Sequence, residues 1–136
     1  MNRTIKFRGK RLDSGEWVYG SLDLTDNSAA ISWDRTDNDG DTVPWFANVD
    51  PETVGQFTGL HDKNGKEIYE GDILSTDLAI PRCEVVFRNG CFALRLNDGD
   101  EDFYDIISPI GESVDKTKYH NIIGSIHDNP ELLNEK

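Results

Sequence analysis

Apolar and polar positions alternate in short runs along most of the chain, and turn residues break the runs at close intervals. Ile5-Lys6-Phe7-Arg8 alternates apolar and basic, the pattern of a half-buried strand. After the turn signal Asp13-Ser14-Gly15, the run Trp17 to Leu22 reads as a second strand, and the pair suggests an N-terminal hairpin. Ala29 to Trp33 is a short strand candidate. Thr42 to Val49 follows, weakened as a central strand by Pro44. Asp50-Pro51-Glu52-Thr53 reads as a turn or a single helical turn, with Asp50 as N-cap and Pro51 at the first position. It is also the expected seam between a β region at 1–50 and a second region at 51–136.

The densest stretch of turn chemistry is Val54 to Leu74, VGQFTGLHDKNGKEIYEGDIL. Val54 to Leu60 can extend as a strand. Asp62-Lys63-Asn64-Gly65 forms a tight turn, because Asn and Gly tolerate positive φ. Lys66 to Tyr69 returns, Glu70-Gly71-Asp72 bends again, and Ile73-Leu74 opens the next strand. Asp62 and Asp72 therefore read as turn and cap residues, and Gly59, Gly65 and Gly71 as backbone-geometry residues.

Cys83 to Leu96 carries the clearest register. Asn89-Gly90 favours a two-residue hairpin turn. That turn sets Phe87 opposite Phe92, Val85 opposite Leu94 and Glu84 opposite Arg95. One face becomes Cys83, Val85, Phe87, Phe92, Leu94 and Leu96, and the other carries the opposed charges. A slip of one residue would destroy both features. The same register puts Cys83 and Cys91 on opposite faces, too far apart for a disulfide; Cys83 reads as core and Cys91 as a free thiol near the turn. Phe103 to Ile107 is apolar enough for burial but ambiguous between strand and helix. Gly111 to Lys118 reads as loop, and Asn121 to Ile126 as a closing strand. A short C-terminal helix is expected from Pro130, capped by Asn129.

Composition narrows the function classes. The formal charge is −12, from 26 acidic against 14 basic residues. Backbone recognition of nucleic acid needs clustered Lys and Arg, and the one modest group is Arg3, Lys6, Arg8, Lys10 and Arg11. Direct nucleic-acid binding is therefore disfavoured, and an acidic surface suits a basic partner. No apolar run reaches membrane-spanning length and no secretory leader pattern opens the chain. The expectation is a reduced, cytoplasmic protein.

Candidate chemistry is sparse. The loop Asp34 to Asp41, DRTDNDGD, invites a calcium reading. With Gly40 at loop position six, however, Arg35 and Phe46 fall where ligands are required. Asn97 to Asp102 is a second acidic turn. His61 and His120, with a nearby Asp, are a weak metal candidate against ordinary surface or half-buried histidines; His127 is the third histidine. No GxSxG, Walker A, GxGxxG or HExxH pattern occurs. No catalytic, cofactor-binding or metal-binding residues are assigned, and the chain reads as a non-enzyme.

Thr53 to Leu74 resembles the YopX family of phage and prophage proteins, as do IKFRGKRLDSGEWVYG (Ile5 to Gly20) and IIGSIHDNPELL (Ile122 to Leu133). The resemblance touches both ends and the middle of the chain. It implies a phage- or prophage-encoded protein of unknown molecular function, active in the bacterial host cell, with a small SH3-like β barrel or roll over about 54–127. It carries over no catalytic residues. The combined expectation is a mainly β accessory protein that contacts an unidentified host or phage protein; oligomeric state is open, with unpaired barrel edges and the exposed N-terminal hairpin able to support self-association. The competing class is a nucleic-acid-associated SH3-like module using Arg3, Lys6, Arg8, Lys10 and Arg11, which requires those residues to gather on one face.

Overall fold

The computed structural model describes residues 4–76, 82–97, 100–107 and 120–133. Arg3 and the loop expected at Gly111 to Lys118 lie outside them. The described chain is almost entirely antiparallel β structure and divides into two compact units, Met1–Phe57 and Thr58–Lys136.

In the first unit, β1 (Phe7–Lys10), β2 (Trp17–Thr25), β3 (Ser28–Thr36) and β4 (Thr42–Val49) run in the order β4-β3-β2-β1, and the start of β5 (Gly55–His61) pairs on the far side of β1. The N-terminal hairpin forms as its alternation predicts, with Arg8 opposite Tyr19 and Lys10 opposite Trp17. Ala29, Ile31 and Val49 are buried beneath Phe7, Val18, Leu22, Trp33 and Val54. β3 extends well past the expected Trp33. Pro44 sits in β4, the outermost strand, where a missing N–H costs no ladder bond. Gly9 leaves room for Val49, whose side-chain carbon would lie 2.8 Å from a Cβ at that position. Pro51–Thr53 forms a 3₁₀ turn; the Glu52 N–H donates to Asp50 Oδ1 at 3.1 Å, the cap that the sequence predicts.

In the second unit, β5 continues and is followed by β6 (Glu67–Tyr69), whose Ile68 carbonyl accepts from the Thr58 hydroxyl at 2.8 Å. A five-stranded sheet follows, with β7 (Asp72–Thr76), β8 (Cys83–Arg88), β9 (Cys91–Asn97), β10 (Asp102–Ile106) and β11 (His120–Ser125) in the order β10-β9-β8-β7-β11. Ile68, Leu74, Cys83, Val85, Leu94 and Ile107 form its core. The β8–β9 register is the predicted one, Glu84 opposite Arg95 through Arg88 opposite Cys91. Asn89 at the turn takes φ 53°, the left-handed conformation that the Asn-Gly pair was read for.

Three expectations are corrected. No closed barrel forms among the described residues. Closure requires the terminal strands to meet, but β10 and β11 end the sheet on opposite sides, and no ladder joins them among the described residues. The described strands therefore do not support the SH3-like assignment. The C-terminal helix is a single 3₁₀ turn, Pro130–Leu133, closed by the Leu132 N–H donating to the Asn129 carbonyl at 3.0 Å. One such turn gains too few bonds to offset helix nucleation. Finally, Phe103 to Ile106 is a strand but is not buried: all five residues of β10 are exposed, and Ile107 alone enters the core. An edge strand has one neighbour, so its apolar content does not secure burial.

Candidate interaction surface

Three of the five basic N-terminal residues share a face; Arg3 lies outside the described residues and Arg11 points off that face. Period-two alternation puts Lys6, Arg8 and Lys10 on one face of β1, with Tyr19 and Trp17 opposite Arg8 and Lys10. The Arg8 guanidinium lies 4.3 Å from the centre of the Trp17 ring, and the Lys10 ammonium 5.4 Å from the same ring. The Lys6 ammonium lies 5.3 Å from the Phe57 ring. Arg8 is only 6% exposed. A single-strand platform displays open rings for bases beside accessible cations; here Arg8 and Lys10 occupy the Trp17 ring themselves. Arg11 is held by Asp13, with two contacts of 2.9 Å. That hydrogen-bonded pair raises the guanidinium and lowers the carboxyl from their ordinary values.

A carboxylate in each acidic loop is occupied by neighbouring groups of the chain. Asp37 Oδ1 accepts the N–H groups of Asp39 and Asp41, each at 2.9 Å, so this carboxylate closes the turn. At the second loop, Asp102 Oδ1 accepts from Asn97 at 2.7 Å and Arg95 at 3.2 Å, which hold its carboxyl below the usual range. Among the described residues, no group of three or more His, Cys, Asp or Glu is arranged to hold a metal ion. The His120 carbonyl accepts the Lys63 N–H at 2.9 Å, and His127 packs beside Gly71.

Asp62 and Asp72 are buried, at 6% and 2% exposure, and both serve the backbone. Asp72 Oδ2 accepts the Tyr69 N–H at 2.8 Å. Asp62 Oδ1 accepts from Asn64 and Lys66, each at 2.9 Å, and Oδ2 accepts from Ile122 at 3.1 Å. Burial alone would push the Asp62 carboxyl up. The N–H groups of Lys66, Ile122 and Asn64, with the Lys66 charge, outweigh burial and hold it below its ordinary value.

A recess of about 260 Å³ opens on the first unit, lined by residues that include Lys6, Trp33, Asp34 and Pro44. It is smaller than most small-ligand pockets.

The strand edges differ more sharply. Exposed edges invite pairing by other chains, and proteins guard them with proline, bulges, shortness or a covering loop. β4 carries Pro44. β6 has three residues. β11 shifts register between Ile122 and Gly124, and its Ile122 and His120 backbone groups are taken by Asp62 and Lys63. Among the described residues, β10 shows none of these devices. Its outer side pairs with no strand among the described residues, and Phe103, Tyr104 and Ile106 are 49%, 37% and 47% exposed. The Arg88 guanidinium stacks 3.8 Å from the Tyr104 ring and stiffens this edge. The sequence signal was the apolar run at Phe103 to Ile107, which by itself does not distinguish core from edge.

No helix among the described residues is long and apolar enough to cross a membrane. Among solved structures, the chain is similar to the crystal structure of protein EF1440 from Enterococcus faecalis. The two share 23% identity over 97% of this chain and 99% of that one, with a TM-score of 0.48. No curated protein matches. A family model described as YopX protein matches residues 6–134. That span takes in most of both units, the turn built on Asp62 and the β10 edge, and the chain belongs to the YopX protein family.

Proposed function

We propose that this protein is a non-enzymatic protein–protein interaction module, encoded by a phage or prophage and acting in the cytoplasm of the bacterial host. The observation that carries the reading is β10, an edge strand with every residue exposed and three large apolar side chains in solvent. Such an edge gains most from a polypeptide partner. The charge of −12 favours a basic one and opposes nucleic acid. The candidate carboxylates Asp37, Asp62, Asp72 and Asp102 already accept local hydrogen bonds, which supports a structural use for them. Cross-linking in host cells followed by mass spectrometry tests the reading. The expected result is at least one host or phage protein enriched over an acidic protein of matched size and charge; no enrichment refutes it.

The nucleic-acid reading retains one favourable observation, the shared face of Lys6, Arg8 and Lys10. Titration with single-stranded DNA at low salt decides it: affinity that falls steeply with added salt supports it, and no binding removes it.

A further inference from the structure

We infer that β10 accepts an added strand from a partner whose segment alternates basic and apolar residues; this rests on the interaction-module reading above and names its site. The backbone supplies the first argument. The Ile107 N–H donates to the Phe92 carbonyl at 3.0 Å. In an antiparallel ladder, inward and outward hydrogen-bonding residues alternate. Phe103, Asp105 and Ile107 therefore face β9, and Tyr104 and Ile106 present N–H and carbonyl groups outward. An incoming strand finds a preformed row of donors and acceptors, the basis of strand-addition recognition.

Side chains set the partner's chemistry. Phe103, Tyr104 and Ile106 supply apolar contact on the two faces of the edge. Asp100, Glu101, Asp102 and Asp105 lie in or beside it, and no Lys or Arg occurs between Arg95 and Lys116. Opposite charges facing each other across a strand pair stabilise it and like charges destabilise it. A second copy would bring two such acidic runs together, each on a chain of charge −12. A segment with Lys or Arg at alternate positions can set its basic residues on the face of Glu101 and Asp105 and its apolar residues on the face of Tyr104 and Ile106, where Asp102 is already held by Arg95.

The test uses the full chain and the synthetic peptide acetyl-Lys-Val-Lys-Ile-Lys-Val-amide, with a glutamate-for-lysine version and a fully N-methylated version as controls. Amide exchange by NMR is the readout. The lysine peptide is expected to slow exchange at Tyr104 and Ile106 at least tenfold, and neither control should do so. Tyr104→Pro removes an outward N–H without touching the β9 ladder, and should weaken binding at least tenfold while leaving amide shifts outside β9 and β10 in place. Should that variant fail to fold, the N-methylated peptide still decides. Equal binding of the N-methylated peptide would reduce the effect to bulk charge and overturn the inference. So would Tyr104 and Ile106 amides already protected in the free protein, or a concentration-dependent dimer that protects them. Partner capture in cells without lysine-peptide protection at β10 would overturn this site alone and leave the interaction-module reading standing.

Discussion

The Ile122 N–H donates to Asp62 Oδ2 at 3.1 Å, across 60 residues of sequence. Asp62 Oδ1 meanwhile closes its own turn through Asn64 and Lys66. One buried carboxylate thus joins a local turn to the closing strand, and both oxygens must accept. Asp62→Asn keeps the shape but turns one acceptor into a donor facing N–H groups. The variant is expected to lose about 1–3 kcal/mol of stability, read as a lower urea midpoint with unchanged slope. A loss under about 0.5 kcal/mol would show that Ile122 and the turn do not depend on this charge.

The same carboxylate gives a pH signature. Its folded pKa lies below its unfolded value, so its contribution is fully present above the unfolded carboxylate range, near pH 4. That contribution is lost as pH falls through the folded pKa. The stability difference between the wild type and Asp62→Asn should be largest near neutrality and shrink on acidification. Urea midpoints of both proteins from pH 7 to pH 3 measure it; a gap that widens with acid would reverse the assigned direction.

Gly20 in β2 approaches the β3 backbone so closely that an added Cβ would lie 2.0 Å from the Ser32 carbonyl oxygen. Backbone cannot step aside as a flexible side chain can. Gly20→Ala should therefore cost about 1–3 kcal/mol and lower the melting temperature. Gly40, at φ +84° with nothing within 4 Å, contrasts with it. Gly40→Asn should stay within about 0.5 kcal/mol of wild type, because Asn tolerates the left-handed region. Similar losses at both sites would mean that the Ser32 contact relaxes.

Local chemistry made much of this fold legible. The Asn89-Gly90 turn and the apolar face of its hairpin admit one register, and that register forms. Asp50-Pro51 and Asp62 to Gly65 likewise specify their turns through short-range hydrogen bonds. Closure was not legible, because alternation records which face is buried and not which strand an edge meets. Phe103 shows the limit: its apolar neighbours match those of a core strand, and only its place at the end of the sheet leaves it exposed. The exposure of the whole β10 edge was not legible for the same reason.

The Glu84–Arg95 pair on the polar face of that hairpin should be energetically real but modest. Two guanidinium nitrogens of Arg95 donate to Glu84 Oε1, at 2.7 and 3.2 Å, and both side chains are partly shielded from solvent. A double-mutant cycle with Glu84→Gln and Arg95→Met is expected to give a coupling of about 0.5–1 kcal/mol. Salt at 1 M should reduce it. Zero coupling at low salt would assign the register to the apolar face alone.

The two thiols should separate cleanly by reactivity. The thiolate is the reactive form, so both exposure and pKa govern the rate. Cys83 lies in the core of the second unit, its Sγ 3.7 Å from the Leu74 carbonyl. Burial, reinforced by the Asp105 charge, pushes that thiol up to about 11. Cys91 is half-buried at the hairpin turn, and neither cysteine forms a disulfide. Ellman's reagent at pH 8 should therefore modify one thiol rapidly, and Cys91→Ser should abolish that fast phase. The second thiol should react only as the sheet opens, so urea should accelerate its labelling, whereas Cys91 should respond little. Because Cys83 sits opposite Leu74 in the β7–β8 ladder, its labelling rate reports how often that pairing breaks. Rapid labelling of Cys83 in native buffer would show that β7 and β8 separate without global unfolding.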